Sequence, residues 1–334
     1  MFRVRGDEIV LPVKQVYRIT HEGSAKIDPV VIHTKNALGF RGPDPPRDFS
    51  THLTIVTVGG STTECVNLTD GRTWSDELQR RLEQSIPGVW VNNAGIDGQS
   101  TFGHLVLLRS VIVPLKPKVA IFLVGANDVG LAHSNTFDLG TIPTGSRLRR
   151  LQNAIVAHSE VANVALNLAR AARARERGFG HSEVDLTKIE DWAIDDEHVT
   201  RVIGQHRAHL EGYAARLKEI DALTRAAGIE PVWLTQPALY GETTDVTTGV
   251  DLARVKVNGR GNGRLEWRLL ELHNDVLRAV ARADGVQVID LAREVPKDSK
   301  YFYDFLHFTN EGAARVGAIV ASHLAPYLRA KYGR

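Results

Sequence analysis

Five short apolar runs, rich in β-branched residues, constrain the fold of this 334-residue chain more than any other feature. Their apolar character is continuous rather than alternating, which is typical of strands buried on both faces of a sheet. Segments with a helical spacing of apolar residues alternate with them. The runs span residues 53–58, 89–93, 119–124, 232–235 and 286–291, and the helical segments span 73–84, 102–113, 202–227, 265–283 and 310–331. This alternation predicts an α/β protein with a parallel sheet covered by helices.

One connection is much longer than the others. About one hundred residues separate the third and fourth runs, where a βαβ unit normally needs only a short crossover. We therefore predict a helical cap insertion at about residues 131–200, because apolar residues keep helical spacing from Leu148 to Leu168. The acidic stretch 183–197 indicates a flexible, charged elbow, although an ordinary solvated surface is the simpler interpretation of a charge run. Residues 1–50 are predicted to form an N-terminal arm that packs on the core, and 51–334 the main domain.

The composition limits the class of protein. With 43% hydrophobic and 24% charged residues, the chain resembles folded globular proteins and not collagen-like, coiled-coil or disordered ones. Its 41 basic and 39 acidic residues give a net charge of +2, without the basic excess that binding to a nucleic acid backbone requires. We therefore expect no nucleic-acid partner. Cys65 is the only cysteine, which excludes an intramolecular disulfide and cysteine-rich zinc sites.

The hydropathy of the chain indicates the cellular compartment to expect. The N-terminal segment is charged and lacks the apolar core of a signal peptide. No run of about eighteen apolar residues occurs, so the sequence predicts no transmembrane segment. We expect a cytoplasmic protein, or a periplasmic or secreted one if an export signal has been removed; the oligomeric state stays open.

Polar residues follow the first three runs directly. The first run ends in VGGSTTE, the second in NNAGIDGQST and the third in FLVGANDVG. The carboxyl ends of parallel strands meet at the edge of the sheet where ligands bind, so we expect Ser61, Gly98 and Asn127 to lie together. Acyl transfer needs a nucleophile and donors for the developing oxyanion, and a glycine N–H and an asparagine amide are such donors. Singly, each residue is more often part of a turn or a helix cap.

A second constellation lies near the C-terminus, in YFYDFLHFTNEGAARVG. Asp304 and His307 are three residues apart, so on one helical turn the carboxylate can hold the Nδ1–H group while Nε2 points outward. That nitrogen would be a general base for Ser61. An isolated D-x-x-H is more often a turn aspartate and a surface histidine, so the pair carries weight only together with the serine.

The order of these motifs resembles a known family. GGST, NAGIDG, GAND and DFLH, spread over residues 59–307, resemble the four sequence blocks of the SGNH/GDSL hydrolases. The upstream segment NALGFRGPD, with Asn36 and Arg41, is similar to one that precedes GGSTT in bacterial members. The first block departs from the commonest form, GDS, by having Gly60 before the serine.

The resemblance implies both a fold and a set of roles. It implies a flavodoxin-like three-layer α/β/α sandwich of about five parallel strands in the order 2-1-3-4-5. It also implies that Ser61 is the nucleophile, that Asp304 and His307 complete a catalytic triad, and that the N–H groups of Ser61 and Gly98 and the side chain of Asn127 form the oxyanion hole. We further expect Arg41 and Glu64 to pair and pin the N-terminal arm beneath the nucleophile.

Three functions are compatible with these residues. The leading hypothesis is a serine esterase that removes a short, acetyl-like acyl group from an oxygen of a small molecule or carbohydrate, through an acyl-enzyme on Ser61. An O-acyltransferase with the same triad is the alternative enzyme, and a non-catalytic binding module on this scaffold is the alternative class. An ordinary α/β-hydrolase is disfavoured, since Thr63 replaces the second glycine of G-x-S-x-G.

A metal site is not predicted. His206 and His209 are three residues apart on a predicted helix, but no H-E-x-x-H motif occurs. We therefore expect neither a metal ion nor a cofactor.

Overall fold

The N-terminal residues form two small antiparallel strand pairs. The computed structural model describes residues 3–5, 8–134, 138, 159, 181–259 and 261–332. Strand β1 (Arg3–Arg5) pairs with β2 (Glu8–Val10), and β3 (Gln15–Thr20) pairs with β4 (Val30–Lys35). Ile9 and Phe40 are buried among apolar side chains of the main sheet, which gives this segment a share in the core.

The five predicted runs form one parallel sheet. Its strands are β5 (Leu53–Gly59), β6 (Val89–Asn93), β7 (Val119–Leu123), β8 (Glu230–Leu234) and β9 (Gln287–Ile289). They lie in the spatial order β6-β5-β7-β8-β9. This is the predicted order 2-1-3-4-5, so the flavodoxin-like arrangement is confirmed.

Helices cover both faces of the sheet. They are α1 (Ser61–Glu64), α2 (Trp74–Glu83), α3 (Thr101–Leu107), α4 (Asp196–His206), α5 (Leu210–Ala226), α6 (Gly263–Asp284), α7 (Leu291–Glu294) and α8 (Asn310–Tyr332). One face packs against α2 and α8, and the other packs against α3, α5 and α6. Neighbouring strand residues such as Ile55 and Val56 enter opposite cores, which is why the runs are continuously apolar.

Local capping explains several helix boundaries. The Thr73 side chain accepts a hydrogen bond from the N–H of Asp76, whose carboxylate accepts one from the N–H of Thr73, and this capping box starts α2. The side chain of Asn262 accepts from the N–H of Leu265 and starts α6. Gly285, in the left-handed region with φ of +64°, ends α6.

Two predicted helices differ from those observed. The segment predicted as one helix over 202–227 is α4 and α5, separated by a 3₁₀ turn at Arg207–His209. The segment predicted over 102–113 begins as α3 and continues as a π-helical turn at Leu108–Ile112. Apolar periodicity reports the buried face and is insensitive to such changes of helical pitch. Among the described helices, none combines the length and the apolar composition that a membrane crossing requires.

The predicted cap insertion is only partly visible. Its apolar segment from Leu148 to Leu168 lies outside the described residues. Within the acidic stretch, three carboxylates have basic partners in and around the segment that precedes α6. The ion pairs are Glu190 with Lys256, Asp191 with Arg254, and Asp196 with Arg264.

Candidate active site

Ser61 begins a single helical turn directly after β5, the second of the five strands across the sheet. Two glycines precede it, and at each of these positions a neighbouring side chain lies too close to leave room for a β-carbon. A β-carbon at position 59 would overlap the side chain of Thr63, and one at position 60 would overlap the amide nitrogen of Asn127. The amide of Asn127 therefore occupies the space that a side chain before the serine would need.

The carbonyl groups of the Ser61 turn are bound by distant elements. The indole nitrogen of Trp74 donates to the carbonyl of Thr62 at 3.2 Å, and Nδ2 of Asn93 donates to the carbonyl of Thr63 at 2.6 Å. Trp74 belongs to α2 and Asn93 to β6, so the turn is fixed both to a helix on one face of the sheet and to the neighbouring strand.

Arg41 binds the same turn, but not through the partner that the sequence suggested. Its guanidinium is 2% exposed and donates to the carbonyl oxygens of Glu64, Cys65 and Leu68 at 2.8, 2.6 and 2.7 Å. It also pairs with the carboxylate of Asp70 at 3.0 Å. The predicted Arg41–Glu64 ion pair is thus wrong, because the arginine contacts the main chain of Glu64 and not its carboxylate.

The carboxylate of Glu64 has other partners. It pairs with Nζ of Lys35 at 3.0 Å and accepts from the N–H of Asp97 at 2.6 Å. Burial alone would raise the pKa of Glu64, but the charges of Lys35 and His33 and these hydrogen bonds lower it to about 2. The carboxylate therefore links β4 of the N-terminal segment to the loop that follows β6.

Asp304 and His307 lie in a tight loop before α8, not on a helical turn. One carboxylate oxygen of Asp304 accepts from the N–H groups of Leu306 and His307 at 2.8 and 2.7 Å. The other oxygen lies 2.6 Å from Nδ1 of His307. One carboxylate thus closes the loop and orients the imidazole, so the spacing of three residues arises from an Asx-type turn.

The structure brings Ser61 to this pair. Nε2 of His307 lies 2.7 Å from Oγ of Ser61. Burial would raise the pKa of Asp304, but the imidazole of His307 and the two loop N–H groups lower it below its usual range, so the carboxylate stays charged. With Nδ1–H donating to that carboxylate, Nε2 is free to accept the hydroxyl proton of Ser61.

The two other predicted residues lie at the same edge of the sheet. Asn127 is in a 3₁₀ turn directly after β7, and its Nδ2 donates one hydrogen bond to the carbonyl of Gln99 at 2.9 Å. This leaves a second N–H on Nδ2, which lies beside Gly60. Gly98 has φ of +74° in the loop after β6. Among the described residues, the N–H groups of Ser61 and Gly98 have no protein acceptor, so both can receive an oxygen of a ligand.

A buried ion pair supports the turn that carries Asn127. Asp128 accepts from the N–H of Thr101 at 3.2 Å and lies 3.3 Å from a guanidinium nitrogen of Arg216. Arg216 also stacks on the ring of Phe102, 3.9 Å from its centroid. Burial raises the pKa of Asp128 to about 6, against the opposing effects of its hydrogen bonds and of Arg216. These contacts fix the Asn127 turn to α3 and α5.

One residue beside the triad carries no signal in the sequence. The ring of His181 lies 4.3 Å, between centroids, from that of His307. A lone histidine in a long insertion gives no local indication of such a contact. Cys65, in contrast, is buried as predicted, and burial raises the pKa of its thiol to about 12, which excludes it as a nucleophile at neutral pH.

Comparison with known protein families gives one match. The sequence model of the GDSL-like lipase/acylhydrolase family matches residues 57–315, which include Ser61, Gly98, Asn127, Asp304 and His307. A comparison with curated protein sequences finds no significant match.

Similar solved structures include three hydrolases. The α/β-hydrolase enzyme from the metagenome of Lake Arreo is 14% identical, with 80% of this chain and 93% of that chain covered and a TM-score of 0.45. The lipase/acylhydrolase from Enterococcus faecalis is 15% identical, with coverages of 82% and 96% and a TM-score of 0.45. A catalytic mutant of an acetylxylan esterase from Geobacillus stearothermophilus is 15% identical, with coverages of 82% and 92% and a TM-score of 0.44.

Proposed function

This chain belongs to the GDSL-like lipase/acylhydrolase family and is a serine ester hydrolase, and from that premise we propose that Ser61, His307 and Asp304 are its catalytic triad. The three side chains form an unbroken hydrogen-bond chain, which is the main support for this proposal. Oγ of Ser61 is 2.7 Å from Nε2 of His307, and Nδ1 of the same ring is 2.6 Å from Asp304. Nucleophile, base and orienting carboxylate are thus connected in the order that acyl transfer requires.

In the acylation step, Oγ of Ser61 attacks the ester carbonyl while Nε2 of His307 takes the hydroxyl proton. The charged carboxylate of Asp304 stabilises the imidazolium that forms. The tetrahedral intermediate then breaks its bond to the alcohol oxygen, and the imidazolium donates its proton to that oxygen. The alcohol leaves, and the acyl group stays on Ser61.

Three donors can hold the oxyanion of the intermediate: the N–H groups of Ser61 and Gly98 and the amide of Asn127. Two observations support this role. The backbone donors have no acceptor among the described residues, and the Asn127 amide is fixed beside Gly60 by its hydrogen bond to the carbonyl of Gln99. Preorganised donors of this kind stabilise the transition state more than the ground state.

In the second step, a water molecule attacks the acyl carbonyl while His307 takes its proton. The bond between the acyl group and Oγ of Ser61 then breaks, the imidazolium returns the proton to Oγ, and the acid is released. We propose that the substrates are short, acetyl-like O-acyl esters of a small molecule or carbohydrate. The side chains of Asp97, His181 and Asn67 lie near the triad, and such polar groups favour a polar alcohol over a lipid chain.

A fluorophosphonate probe tests the nucleophile. We expect intact-mass analysis to find an adduct on the wild type and on S322A, a matched change at an exposed serine of α8, but none on S61A. A folded wild type without an adduct would instead favour the non-catalytic binding module. A series of p-nitrophenyl esters from acetyl to octanoyl then tests the acyl length, with the highest kcat/KM expected for the shortest chains.

A further inference from the structure

His181 lies over the acid–base half of the triad. Its ring is tilted by 59° relative to that of His307, with the centroids 4.3 Å apart. One ring nitrogen of His181, a carboxylate oxygen of Asp304 and a ring nitrogen of His307 all lie within 4.8 Å of one another. A second imidazole thus covers the hydrogen bond between Asp304 and His307, although the esterase mechanism gives it no part.

Both nitrogens of His181 are held. Nε2 lies 3.1 Å from a carboxylate oxygen of Asp97, and Nδ1 lies 3.2 Å from the hydroxyl of Tyr303. That hydroxyl also accepts from Nδ2 of Asn67 at 3.3 Å. Burial raises the pKa of Tyr303 well above its usual range, so its phenol keeps its proton and can donate a hydrogen bond to Nδ1. When His181 is neutral and its Nε2–H donates to Asp97, each bond of this chain has one donor and one acceptor.

The backbone around His181 is attached to the loop that carries the acid and the base. Nδ2 of Asn67 donates to the carbonyl of His181 at 3.3 Å, and the N–H of Val184 donates to the carbonyl of Tyr303 at 2.8 Å. The ring of Tyr303 in turn stacks on that of His307, with an angle of 12° between the planes and 5.6 Å between the centroids. His307 therefore has His181 and Tyr303 as ring neighbours, and those two are bonded to each other.

We propose that His181 is a positioning residue of the triad, which holds the His307 ring against Asp304 while neutral and slows ester hydrolysis when protonated. This inference rests on the proposed function of Ser61, His307 and Asp304. The residue acts through His307, since its nitrogens are bound to Asp97 and Tyr303.

The carboxylates around His181 favour its protonated form. Burial would lower the pKa of His181, but the hydrogen bond to Asp97 and the surrounding carboxylates raise it above its usual value. The titratable or charged groups that face it are Asp97, Asp304, Glu64, His307 and Tyr303. As the pH falls, an imidazolium at position 181 lies beside the ring that must itself become positive in the transition state. Two like charges at this distance repel each other, so the reaction slows before His307 itself is fully protonated.

The test is the pH dependence of kcat/KM with p-nitrophenyl acetate. For the wild type we expect an acid limb with a shoulder, in which the rate falls about tenfold before it is lost. H181Q removes the second titrating ring, so its acid limb should fit one ionisation. At pH 8 its kcat should be about three- to tenfold lower, through weaker positioning of His307, with KM within about twofold of the wild type. The exposed histidine of α8 provides the control, and H323Q should keep the shoulder.

Two further variants keep the test decisive if H181Q folds poorly. D97N removes the charge that raises the pKa of His181, so the shoulder should move to lower pH. Y303F retains the ring that stacks on His307 but loses the hydroxyl bound to His181, so kcat should fall in the way that it does for H181Q. Identical profiles for the wild type, H181Q and D97N would overturn the inference. Absence of both esterase activity and probe labelling in the wild type would contradict the proposed function itself.

Discussion

The two halves of the candidate site are held in different ways. The Ser61 turn has its carbonyl groups bound by Arg41, Trp74 and Asn93, which come from three separate parts of the chain. The loop that carries the acid and the base closes on itself, because the carboxylate of Asp304 accepts the N–H groups of residues only two and three positions further along. The nucleophile is thus positioned by tertiary contacts, whereas the acid and the base are joined to each other by a local turn.

This difference separates stability from chemistry. The contacts of Arg41 with the Ser61 turn also join the N-terminal segment to the sheet, so their loss should cost free energy of unfolding. Contacts within the Asp304 loop span few residues, so their loss should cost activity while the fold persists.

The largest effect is expected at the acid. D304N retains an oxygen for the two loop N–H groups but loses the charge that stabilises the imidazolium of His307. We expect kcat to fall about 10⁴-fold, with the free energy of unfolding within about 1 kcal/mol of the wild type. Ester hydrolysis and urea unfolding measure the two quantities.

The double variant S61A/D304N is the control for this prediction. Residues of a triad act as a unit, so it should be no less active than S61A alone. Additive losses would contradict the joint action of the triad. A D304N variant that unfolds readily would contradict the local character of this loop.

The next effect concerns the oxyanion donors. N127A removes one donor and should lower kcat by about 10²- to 10³-fold with little change in KM. G60A adds a β-carbon where the Asn127 amide lies, so it should displace that amide and cause a similar loss. The double variant should then resemble either single one. A change in KM alone would mean that Asn127 binds substrate rather than the transition state.

The third effect should appear in stability rather than in chemistry. R41M leaves the carbonyl groups of Glu64, Cys65 and Leu68 without their buried donor, and we expect a loss of about 3 kcal/mol in the free energy of unfolding. R72M, at an exposed arginine, should change it by less than about 0.5 kcal/mol. The folded fraction of R41M should keep kcat within about tenfold of the wild type. A loss of kcat without a loss of stability would show that Arg41 acts on the chemistry and not on the stability of the fold.

The same contrast explains what the sequence could predict. The five strands and their order follow from local apolar patterns and a family resemblance. The pairing of Asp304 with His307 follows from their local spacing, although the sequence suggested a helical turn and the structure has a loop. The partners of Arg41 are mostly main-chain carbonyls, which leave no mark on a side-chain pattern. His181 reaches His307 only through the tertiary structure, so neither its position nor its bond to Asp97 could be inferred.

The smallest effect is a pH dependence at the edge of the Ser61 turn. Burial alone would raise the pKa of Glu64, but it is about 2 in the folded protein against an ordinary value of 4.5. Lys35, His33 and the N–H of Asp97 stabilise the charged form. His33, also near Glu64, is neutral above about pH 3, since burial lowers its pKa to about 3. A carboxylate whose folded pKa lies below its unfolded value stabilises the fold above pH 4.5, and this contribution is lost as the pH falls from 4.5 towards 2.

K35M removes the cation that contributes most to this shift, so it should be less stable than the wild type at pH 7. The difference should be about 1–3 kcal/mol, the upper figure corresponding to the whole shift of the Glu64 pKa. It should shrink as the pH falls from about 4.5 to 3, because the carboxylate that Lys35 stabilises becomes protonated in the unfolded state. Urea unfolding at about pH 7, 5, 4 and 3 measures it, with K116M, at an exposed lysine, as the control. A difference that stays constant over this range would show that Lys35 stabilises the protein through packing and not through the charge of Glu64.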